Sequence, residues 1–460
     1  MDAKKLAEQR ATTPDHSKVP GHKEMLHYGL GYLGIISVWT LIGTFLTFYY
    51  TDVAGISAAA VGTMMLVVRL LDGVTDIGMG TLIDRTKSKH GKARPWVLWT
   101  AIPLGITTVL VFSVPDISDS GKIIYAYVTY ISLILAYTAI SIALKTLLGL
   151  MTQVQQGRSV INIYSGVFTM IATLVITVSA QPVASAIGGR LGWTLLALMI
   201  SVIIVATSFI AFRATTERVG NHRNRQKNSI PFLIAYKALF SNKYWVIITL
   251  YCVVAYTLNA LLAGAGLYYA QYILGNTSYF SIIGLALFVP TIVGFFFISR
   301  IVKRFGKRNI ALAVSFIGMF GPLVKLIETS SLPVFLVGTI IQGFGLLPVI
   351  MVLYAMINDT AEYGEWKSGV RTEGLINSAA SFGMKVGAGL GGAIIGWLLA
   401  FGGYVGASPA QSAMAIDMII VLNIYLPLLL AILQTILLWM YRLDQQYTTI
   451  VLELKRRKGE

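Results

Sequence analysis

Three charged side chains stand together in a stretch of the chain that is otherwise apolar. Arg69, Asp72 and Asp76 lie in "RLLDGVTD" (69–76), inside an apolar run from 58 to 83. Because residues three, four and seven apart share one face of a helix, they form a single stripe. Two carboxylates beside one arginine leave a negative charge that needs a proton or a bound cation in an apolar medium. The stripe predicts a cation site formed by Asp72 and Asp76, which would hold a metal ion if that cation is Na⁺.

A simpler role for the stripe is a structural salt bridge between Arg69 and Asp72. One charge at the centre of a bilayer costs roughly 2.5 to 3.5 kcal/mol, so three charges would face protein or a water-filled cavity rather than lipid. The salt bridge explains one carboxylate and leaves the second without a role. The cation site is therefore the preferred interpretation.

The composition of the whole chain is that of a membrane protein. Of 460 residues, 56% are hydrophobic and 12% are charged, and the mean hydropathy is +0.72. A span needs roughly 20 apolar residues to cross about 30 Å of hydrocarbon. Windows of that kind predict twelve transmembrane helices, at 27–51, 58–83, 95–114, 122–150, 159–183, 194–212, 244–273, 279–301, 309–328, 333–358, 372–402 and 415–441.

The basic residues indicate the orientation of these spans. The external loops would hold only Lys122 and Arg190 of the 36 Lys and Arg, and four more lie inside spans. This bias follows the positive-inside rule with both termini in the cytoplasm. The net charge of +16 is then explained by topology, and we expect no nucleic-acid partner.

The chain is predicted to consist of two similar halves. A cytoplasmic loop at 213–243 separates six spans at 27–212 from six at 244–441, between cytoplasmic tails at 1–26 and 442–460. The segments after the second and eighth spans are weakly similar in sequence. They are "LIDRTKSKHGKARPWVL" and "FISRIVKRFGKRNIAL". Two six-helix halves around a midplane cavity are the architecture of a major facilitator superfamily carrier.

Other polar side chains fall on helix faces that would complete a site. Thr138, Ser141 and Lys145 share a face of the fourth span, and a threonine hydroxyl suits Na⁺, which prefers oxygen ligands. Lys145 would either neutralise an aspartate or hold an anionic group of a substrate. Lys385 is a buried cation on a similar stripe of the eleventh span.

Further residues have more modest interpretations. Tyr32 and Tyr354 are candidates for lining a sugar-sized cavity, although tyrosine is also common at membrane interfaces. Lys325 is predicted to pair with Glu328, three residues later, and the alternative is a place on the transport pathway. The run "GAGLGG" (387–392) indicates close helix packing rather than a phosphate loop.

Four motifs in order resemble one family. They are "YYTDVAG", "VRLLDGVTD", "DRTKSKHGKARPW" and "NDTAEYGEWKSGVRTEG", and the similarity covers nearly the whole chain. This pattern is similar to the glycoside-pentoside-hexuronide:cation symporters, which include the melibiose permeases, and looks closest to the bacterial glucuronide carrier. The resemblance implies a twelve-helix fold and sugar uptake driven by Na⁺ or H⁺.

The resemblance also implies residue roles. It places the family's cation site on Asp72, Asp76 and Thr138. The arginine that the family carries in its second helix corresponds to Arg69, and the lysine of its eleventh helix corresponds to Lys385. The sugar site departs from the family, because Ile36 replaces an aspartate and Ser141 and Lys145 replace the Asp and Trp of melibiose-type members. These changes favour an anionic substrate such as a glucuronide. The predicted substrate-binding residues are Arg69, Ser141, Lys145, Tyr32, Tyr354 and Lys385.

The charged loop motifs predict a gate at the cytoplasmic side. Ion pairs between these loops would close the inner gate and break when it opens, and the alternative is static anchoring of the loops at the surface. The residues concerned are Asp84, Arg85 and Arg94 in the first loop and Asp359, Glu362, Glu365 and Arg371 in the second.

The predicted function is therefore cation-coupled symport of a sugar or glycoside by alternating access. The alternatives are a major-facilitator carrier of a non-sugar amphiphile or lipid, and a sensor that does not transport. No hydrolytic motif is present, so we expect no enzymatic activity and no cofactor besides the coupling ion. We expect a monomer in the bacterial inner membrane whose partners are a sugar, a monovalent cation and membrane lipid.

Overall fold

Helices make up all the regular secondary structure in the described part of the chain. The computed structural model describes residues 19–219, 232–369 and 373–458. The helices are α1 (His22–Phe48), α2 (Ala58–Arg85), α3 (Arg94–Trp99), α4 (Ala101–Val111), α5 (Asp119–Met151), α6 (Gln155–Ile187), α7 (Gly189–Ala214), α8 (Phe232–Ser241), α9 (Lys243–Gly264), α10 (Gly266–Tyr272), α11 (Tyr279–Phe305), α12 (Lys307–Lys325), α13 (Leu332–Gly343), α14 (Leu347–Met351), α15 (Leu353–Ser368), α16 (Glu373–Phe401), α17 (Ala413–Ile420), α18 (Leu426–Met440) and α19 (Tyr447–Lys458).

These helices confirm an all-α membrane protein. Ten helical stretches among the described residues are long and apolar enough to cross a membrane, from His22–Val53 to Ala413–Gln445. Helices α11 and α12 lie where the eighth and ninth spans are predicted. The protein is therefore a multi-pass membrane protein, and the count of twelve spans stays a prediction.

The third and tenth predicted spans are interrupted next to prolines. The third span breaks at Thr100 into α3 and α4, and the tenth passes through a 3₁₀ turn at Phe344–Leu346. Pro103 and Pro348 follow these breaks, and a proline has no N–H to donate to the carbonyl four residues earlier. Each break therefore falls where the helical hydrogen bond is missing.

Two segments predicted as a loop and a tail contain helices. Helix α8 lies in the predicted central loop, and α19 lies in the predicted C-terminal tail. Ile450 and Leu454 of α19 are buried in the apolar core of the second half of the chain. The Trp366 indole donates to Glu453 at 2.8 Å. The tail thus forms part of the folded protein.

The backbone groups into two compact units. One comprises Met1–Ile42 with Val74–Lys227, and the other comprises Gly43–Gly73 with Asn228–Glu460. Helices α1 and α2 each contribute residues to both units. The predicted division into six-helix halves, with its boundaries in the loop and tails, stays a prediction.

In the first unit, polar groups tie neighbouring helices together. The Tyr28 hydroxyl of α1 donates to the carbonyl oxygen of Leu144 in α5 at 2.8 Å. The Ser201 hydroxyl of α7 donates to the carbonyl oxygen of Gly105 in α4 at 2.8 Å. Both bonds are buried, so each satisfies a polar group in an apolar interior.

In the second unit, glycines allow α16 to approach α2 closely. A β-carbon on Gly389 would lie 2.9 Å from Cβ of Arg69, and one on Gly392 would lie 2.9 Å from Cβ of Met65. A β-carbon on Gly396 would lie 2.4 Å from the carbonyl oxygen of Ala58. Small residues let helix backbones pack at short distance in membranes.

The opposite face of α16 meets α9 in the same way. A β-carbon on Gly387 would lie 2.4 Å from the carbonyl oxygen of Val253, and one on Gly391 would lie 2.5 Å from Cβ of Ala260. The prediction that "GAGLGG" serves close helix packing is confirmed. Helix α16 lies between α2 and α9, with glycines on both faces.

This packing predicts that an added methyl group at Gly396 destabilises the protein. Gly396→Ala places the methyl against backbone atoms of α2, which cannot rotate away, and overpacking typically costs about 1–3 kcal/mol. Gly166→Ala in α6 is the matched control, because a β-carbon there meets nothing within 4 Å. Alanine should leave that helix unchanged or stabilise it. Thermal unfolding in detergent would measure both variants, and equal melting temperatures would contradict the prediction.

Candidate functional site

The carboxylate of Asp72 lies between two cations in the second unit. Lys385 Nζ lies 2.9 Å from Asp72 Oδ1 and also donates to the Asp72 carbonyl oxygen at 3.0 Å. Arg69 Nη1 lies 4.0 Å from Asp72 Oδ2. Asp72 is 2% exposed and Arg69 is 6% exposed. The structure thus joins a residue of the predicted cation site to two predicted substrate-binding residues.

Lys385 changes the charge balance inferred from the stripe. Arg69, Asp72 and Asp76 alone carry a net negative charge, whereas the same three groups together with Lys385 are neutral. In the contacts described, the ammonium of Lys385 lies directly beside the Asp72 carboxylate. A lysine ammonium is a compact point charge on a flexible stem.

The remaining residues of the predicted cation site lie in the first unit. Asp76 is one turn further along α2 and is half-buried. Thr138 of α5 is 3% exposed. Their role as cation ligands stays a prediction.

The other predicted substrate-binding residues have different surroundings. On α5, Ser141 is half-buried and Lys145 is exposed. The Tyr32 ring lies 5.6 Å from the Tyr28 ring, measured between centroids. Tyr354 is 59% exposed and its hydroxyl lies 3.7 Å from Met384 Sδ. The role of these residues in substrate binding stays a prediction.

Sequence reasoning overlooked an aromatic pair next to Thr138. The rings of Trp39 in α1 and Tyr137 in α5 are stacked, with centroids 4.7 Å apart and planes 24° apart. The adjacent positions of Tyr137 and Thr138 in the sequence were the available signal.

Lys325 does not have the predicted partner. Its ammonium donates to the Gln342 side-chain oxygen at 2.6 Å and lies 4.2 Å above the centre of the Phe335 ring. Glu328 instead accepts from Ser330 at 2.9 Å. The spacing rule for helices fails here because α12 ends at Lys325, so Glu328 is not on its next turn.

The two similar loops, after the second and eighth predicted spans, are anchored in the same way. In the first, the Arg94 guanidinium donates to the Phe212 carbonyl oxygen at 2.7 Å, at the end of α7. In the second, the Arg308 guanidinium donates to the Trp439 carbonyl oxygen at 2.6 Å, at the end of α18. The weak similarity in sequence therefore corresponds to a shared structural arrangement.

A carboxylate completes each anchor. Glu217 accepts from the backbone N–H groups of Lys92, Ala93 and Arg94 at 2.8, 2.8 and 2.9 Å. Asp444 accepts from the backbone N–H of Arg308 at 2.8 Å. Glu217 follows α7 and Asp444 follows α18, and each acid binds at the start of another helix, where unpaired N–H groups favour an anion.

Each loop turns at a glycine in a left-handed conformation. Gly91 has φ +101° and Gly306 has φ +82°. A β-carbon on Gly91 would lie 2.3 Å from the Glu217 carboxylate carbon. Glycine is needed there both for the backbone angle and for the close approach of the acid.

Several predicted gating residues therefore have partners nearby in the fold. Asp359 is buried and forms an ion pair with Lys307, and Arg94 is held at the end of α7 as described. Asp84 and Arg85 are exposed, and Glu362 and Glu365 are half-buried. Arg371 lies outside the described residues. For Arg94 and Asp359 these contacts are of the anchoring type, and the gating role of the set stays a prediction.

The start of the central loop is fixed by a second carboxylate. Glu24 accepts from the Arg218 guanidinium at 2.8 and 2.6 Å and from the Thr216 N–H at 2.9 Å. The hydrogen bonds from Arg218 to Glu24 raise the pKa of the guanidinium above its ordinary value. Sequence reasoning assigned no role to Glu24, Glu217 or Asp444, because their partners are distant in the chain.

Ionisable residues buried inside membrane helices place the protein in the class of membrane transporters. Such residues are costly in lipid and mark the paths of ions and substrates. A family model described as MFS/sugar transport protein matches residues 27–445. The chain belongs to this family.

Relatives and a solved structure agree with that assignment. The chain is 35% identical to the isoprimeverose transporter of Lactiplantibacillus pentosus, covering 97% of this chain and 94% of the relative. It is 32% identical to the glucuronide carrier protein homolog of Escherichia coli (strain K12), covering 95% and 96%. It also resembles the crystal structure of the nucleoside transporter NupG, with a TM-score of 0.61 at 13% identity, covering 92% and 98%. The predicted major facilitator fold is confirmed.

The loop anchor predicts a stabilising role for the Glu217 carboxylate. Glu217→Gln removes the charge that binds three N–H groups, and we expect a loss of about 1–2 kcal/mol of unfolding free energy. Glu328→Gln is the control, since that side chain is exposed and accepts only a local bond from Ser330. Thermal unfolding in detergent would measure both. A Glu217 variant as stable as the control would show that the anchor contributes nothing.

Proposed function

We propose that the protein is a cation-coupled symporter that carries a sugar or glycoside across the bacterial inner membrane, with both termini in the cytoplasm. The observation that supports this most directly is the buried Asp72 carboxylate between Lys385 and Arg69. The family match and the names of the relatives favour sugar transport over an amphiphile carrier or a sensor. All of the named relatives are transporters, which argues against an enzyme.

The coupling mechanism follows from the charges around Asp72. A cation that binds Asp72, either Na⁺ or H⁺, displaces the ammonium of Lys385. Lys385 and Arg69 then carry positive charge that the carboxylate no longer balances. Unbalanced charge is costly in an apolar interior, so the site becomes favourable for an anionic group of a substrate.

This exchange couples the two ligands thermodynamically. If the cation raises the affinity for the substrate by releasing Lys385, the substrate raises the affinity for the cation by the same factor. A site that holds both the cation and an anionic substrate has a smaller net charge than the site with the cation alone. Alternating access would then be easiest with both ligands bound or with neither, which is the requirement for symport.

An anionic sugar is the substrate class that this mechanism favours. Lys145 stands where melibiose-type members carry a tryptophan, and Lys385 becomes available when the cation binds. A uronide carboxylate or a sulfonate would bind either ammonium by a charge-assisted hydrogen bond. The relative named as a glucuronide carrier homolog is consistent with such a substrate.

Removal of both acidic groups tests the proposed symport. In the double variant Asp72→Asn, Asp76→Asn we expect accumulation of sugar against its gradient to fall at least about tenfold, because no carboxylate remains to bind the cation. Asp417→Asn is the control, since Asp417 is an exposed aspartate in α17. The measurement is uptake of uronides and of neutral glycosides into proteoliposomes under an imposed Na⁺ or pH gradient. Undiminished accumulation in the double variant would exclude the proposed cation site.

Exchange of Lys145 tests the substrate class. Lys145→Ala should lower uptake of an anionic glycoside about tenfold or more relative to a neutral one, because a charge-assisted bond contributes about 1.5–3 kcal/mol. Lys145→Arg keeps the charge and should retain part of the preference. The ratio of the two uptake rates is the measurement, with Lys122→Ala as the control. A ratio that does not change in Lys145→Ala would exclude a substrate contact.

A further inference from the structure

The motif "YYTDVAG" contains an aspartate that the proposed coupling mechanism does not use. Helix α1 continues into a π-helical turn at Tyr49–Val53, which includes Asp52. Asp52 Oδ1 accepts from the Tyr404 hydroxyl at 2.6 Å, the Tyr272 hydroxyl at 2.9 Å and the Ala407 N–H at 3.2 Å. One carboxylate oxygen thus holds three donors.

The donors come from chain segments that are far apart in sequence. Tyr272 is the last residue of α10, and Tyr404 and Ala407 belong to the connection between α16 and α17. With Asp52, these are three places that the predicted topology puts on the external side. Asp52 therefore ties three segments of the second unit together at one end.

A second layer of contacts lies under the carboxylate. Thr51 Oγ1 donates to Asp52 Oδ2 at 2.7 Å and is hydrogen-bonded to the Tyr268 hydroxyl at 2.8 Å. Thr51 and Tyr268 are buried. The Tyr404 ring meets the rings of Tyr268 and Tyr272 edge to face, with centroids 5.5 Å apart in each case.

The connection between α16 and α17 is shaped to meet α1. A β-carbon on Gly406 would lie 2.0 Å from the Thr51 carbonyl oxygen, so only glycine fits there. Ala407 has φ +57°, a left-handed conformation that residues with a side chain rarely adopt, and its N–H is one of the donors to Asp52. A non-glycine residue keeps such a left-handed conformation only where the surrounding structure stabilises it.

The chemistry of this cluster differs from that of the ion pair at Asp72. The donors to Asp52 named above are phenol, hydroxyl and backbone N–H groups, all neutral. Water can replace such donors when the segments separate, because a carboxylate and a phenol are both well hydrated. The cluster can therefore open and close repeatedly, because water can take over the hydrogen bonds of the carboxylate and the phenols.

We propose that Asp52 locks the ends of three segments of the second unit together on the predicted external side, and that each transport cycle requires it to release Tyr272 and Tyr404. This rests on the proposed symport. The tie restrains the end of α1, because Asp52 follows that helix directly and its partners lie on two other segments of the same unit. Release of the tie frees this end of α1 to rearrange as alternating access requires.

The test measures release of Asp52 from its partners, without any substrate. Ala54 is fully buried two residues after Asp52, so Ala54→Cys provides a reporter thiol with a small change of volume. Cys252 is the only native cysteine and is buried, so it reports unfolding in the same molecule. A maleimide would be added to purified protein in detergent, and labelling at the two thiols would be followed by peptide mass spectrometry.

Two variants should open the cluster. In the reporter background, Asp52→Asn removes the charge, and Tyr404→Phe removes one hydroxyl while it keeps the ring. We expect labelling at the reporter to become at least about fivefold faster in each, while Cys252 stays unlabelled, because the closed population falls. Asp116→Asn is the control, since Asp116 is predicted to be external, and its 83% exposed side chain also forms polar contacts, with Lys122 and Arg190.

The possible outcomes separate this proposal from the proposed function. Reporter labelling within about twofold of the parent in both variants would overturn the role of Asp52, whatever the transport assays show. Labelling of Cys252 in step with the reporter in both variants would also overturn it, because Asp52 would then be a structural residue. Faster labelling in the variants, together with a parent protein that accumulates no sugar under either gradient, would leave the role of Asp52 intact and refute symport.

Discussion

A carboxylate buried in a membrane helix has to be neutralised by a proton or a cation, and in the second unit this constraint acts on Asp72. Asp72 is 2% exposed and is satisfied by Lys385 at 2.9 Å, with Arg69 at 4.0 Å on its other oxygen. Lys385 reaches Asp72 because α16 packs directly against α2. That packing depends on glycines, since a β-carbon on Gly389 would approach Cβ of Arg69 to 2.9 Å. The position of α16 and the charge state of Asp72 are therefore linked.

The link gives a physical reason for coupling. While Lys385 neutralises Asp72, the site has no need of another cation. In the proposed mechanism a cation takes its place, and the released ammonium has to find another anion or water, which requires the surroundings of α16 to change. A membrane interior makes this exchange consequential, because an unbalanced charge there costs far more than in water.

The main features of the fold and the centre of the site could be predicted from sequence. Long apolar windows identify membrane helices because lipid requires them, and Asp72 is conspicuous because charge is rare in such windows. The contact between Asp72 and Lys385 could not be predicted, since it depends on how two helices distant in the chain pack. The run "GAGLGG" indicated close packing but not the identity of its neighbours.

Predictions based on spacing failed where the helix ended sooner than expected. Lys325 and Glu328 would face each other on a continuous helix, but α12 ends at Lys325, and Gln342 and Phe335 provide its contacts. The weak sequence similarity of the two loops, in contrast, corresponds to a shared structural arrangement. Arg94 and Arg308 make equivalent bonds at the ends of α7 and α18, because a similar local sequence meets a similar helix end in each half.

Asp52 and Asp72 both lie in the segment Gly43–Gly73 and bind donors from the second half of the chain, yet their partners differ in kind. Asp72 is held by a cation, so only another cation or a proton can replace that partner without leaving buried charge. Asp52 is held by phenols and a backbone N–H, which water can replace. In the proposed mechanism the first arrangement therefore selects a ligand, and the second permits movement.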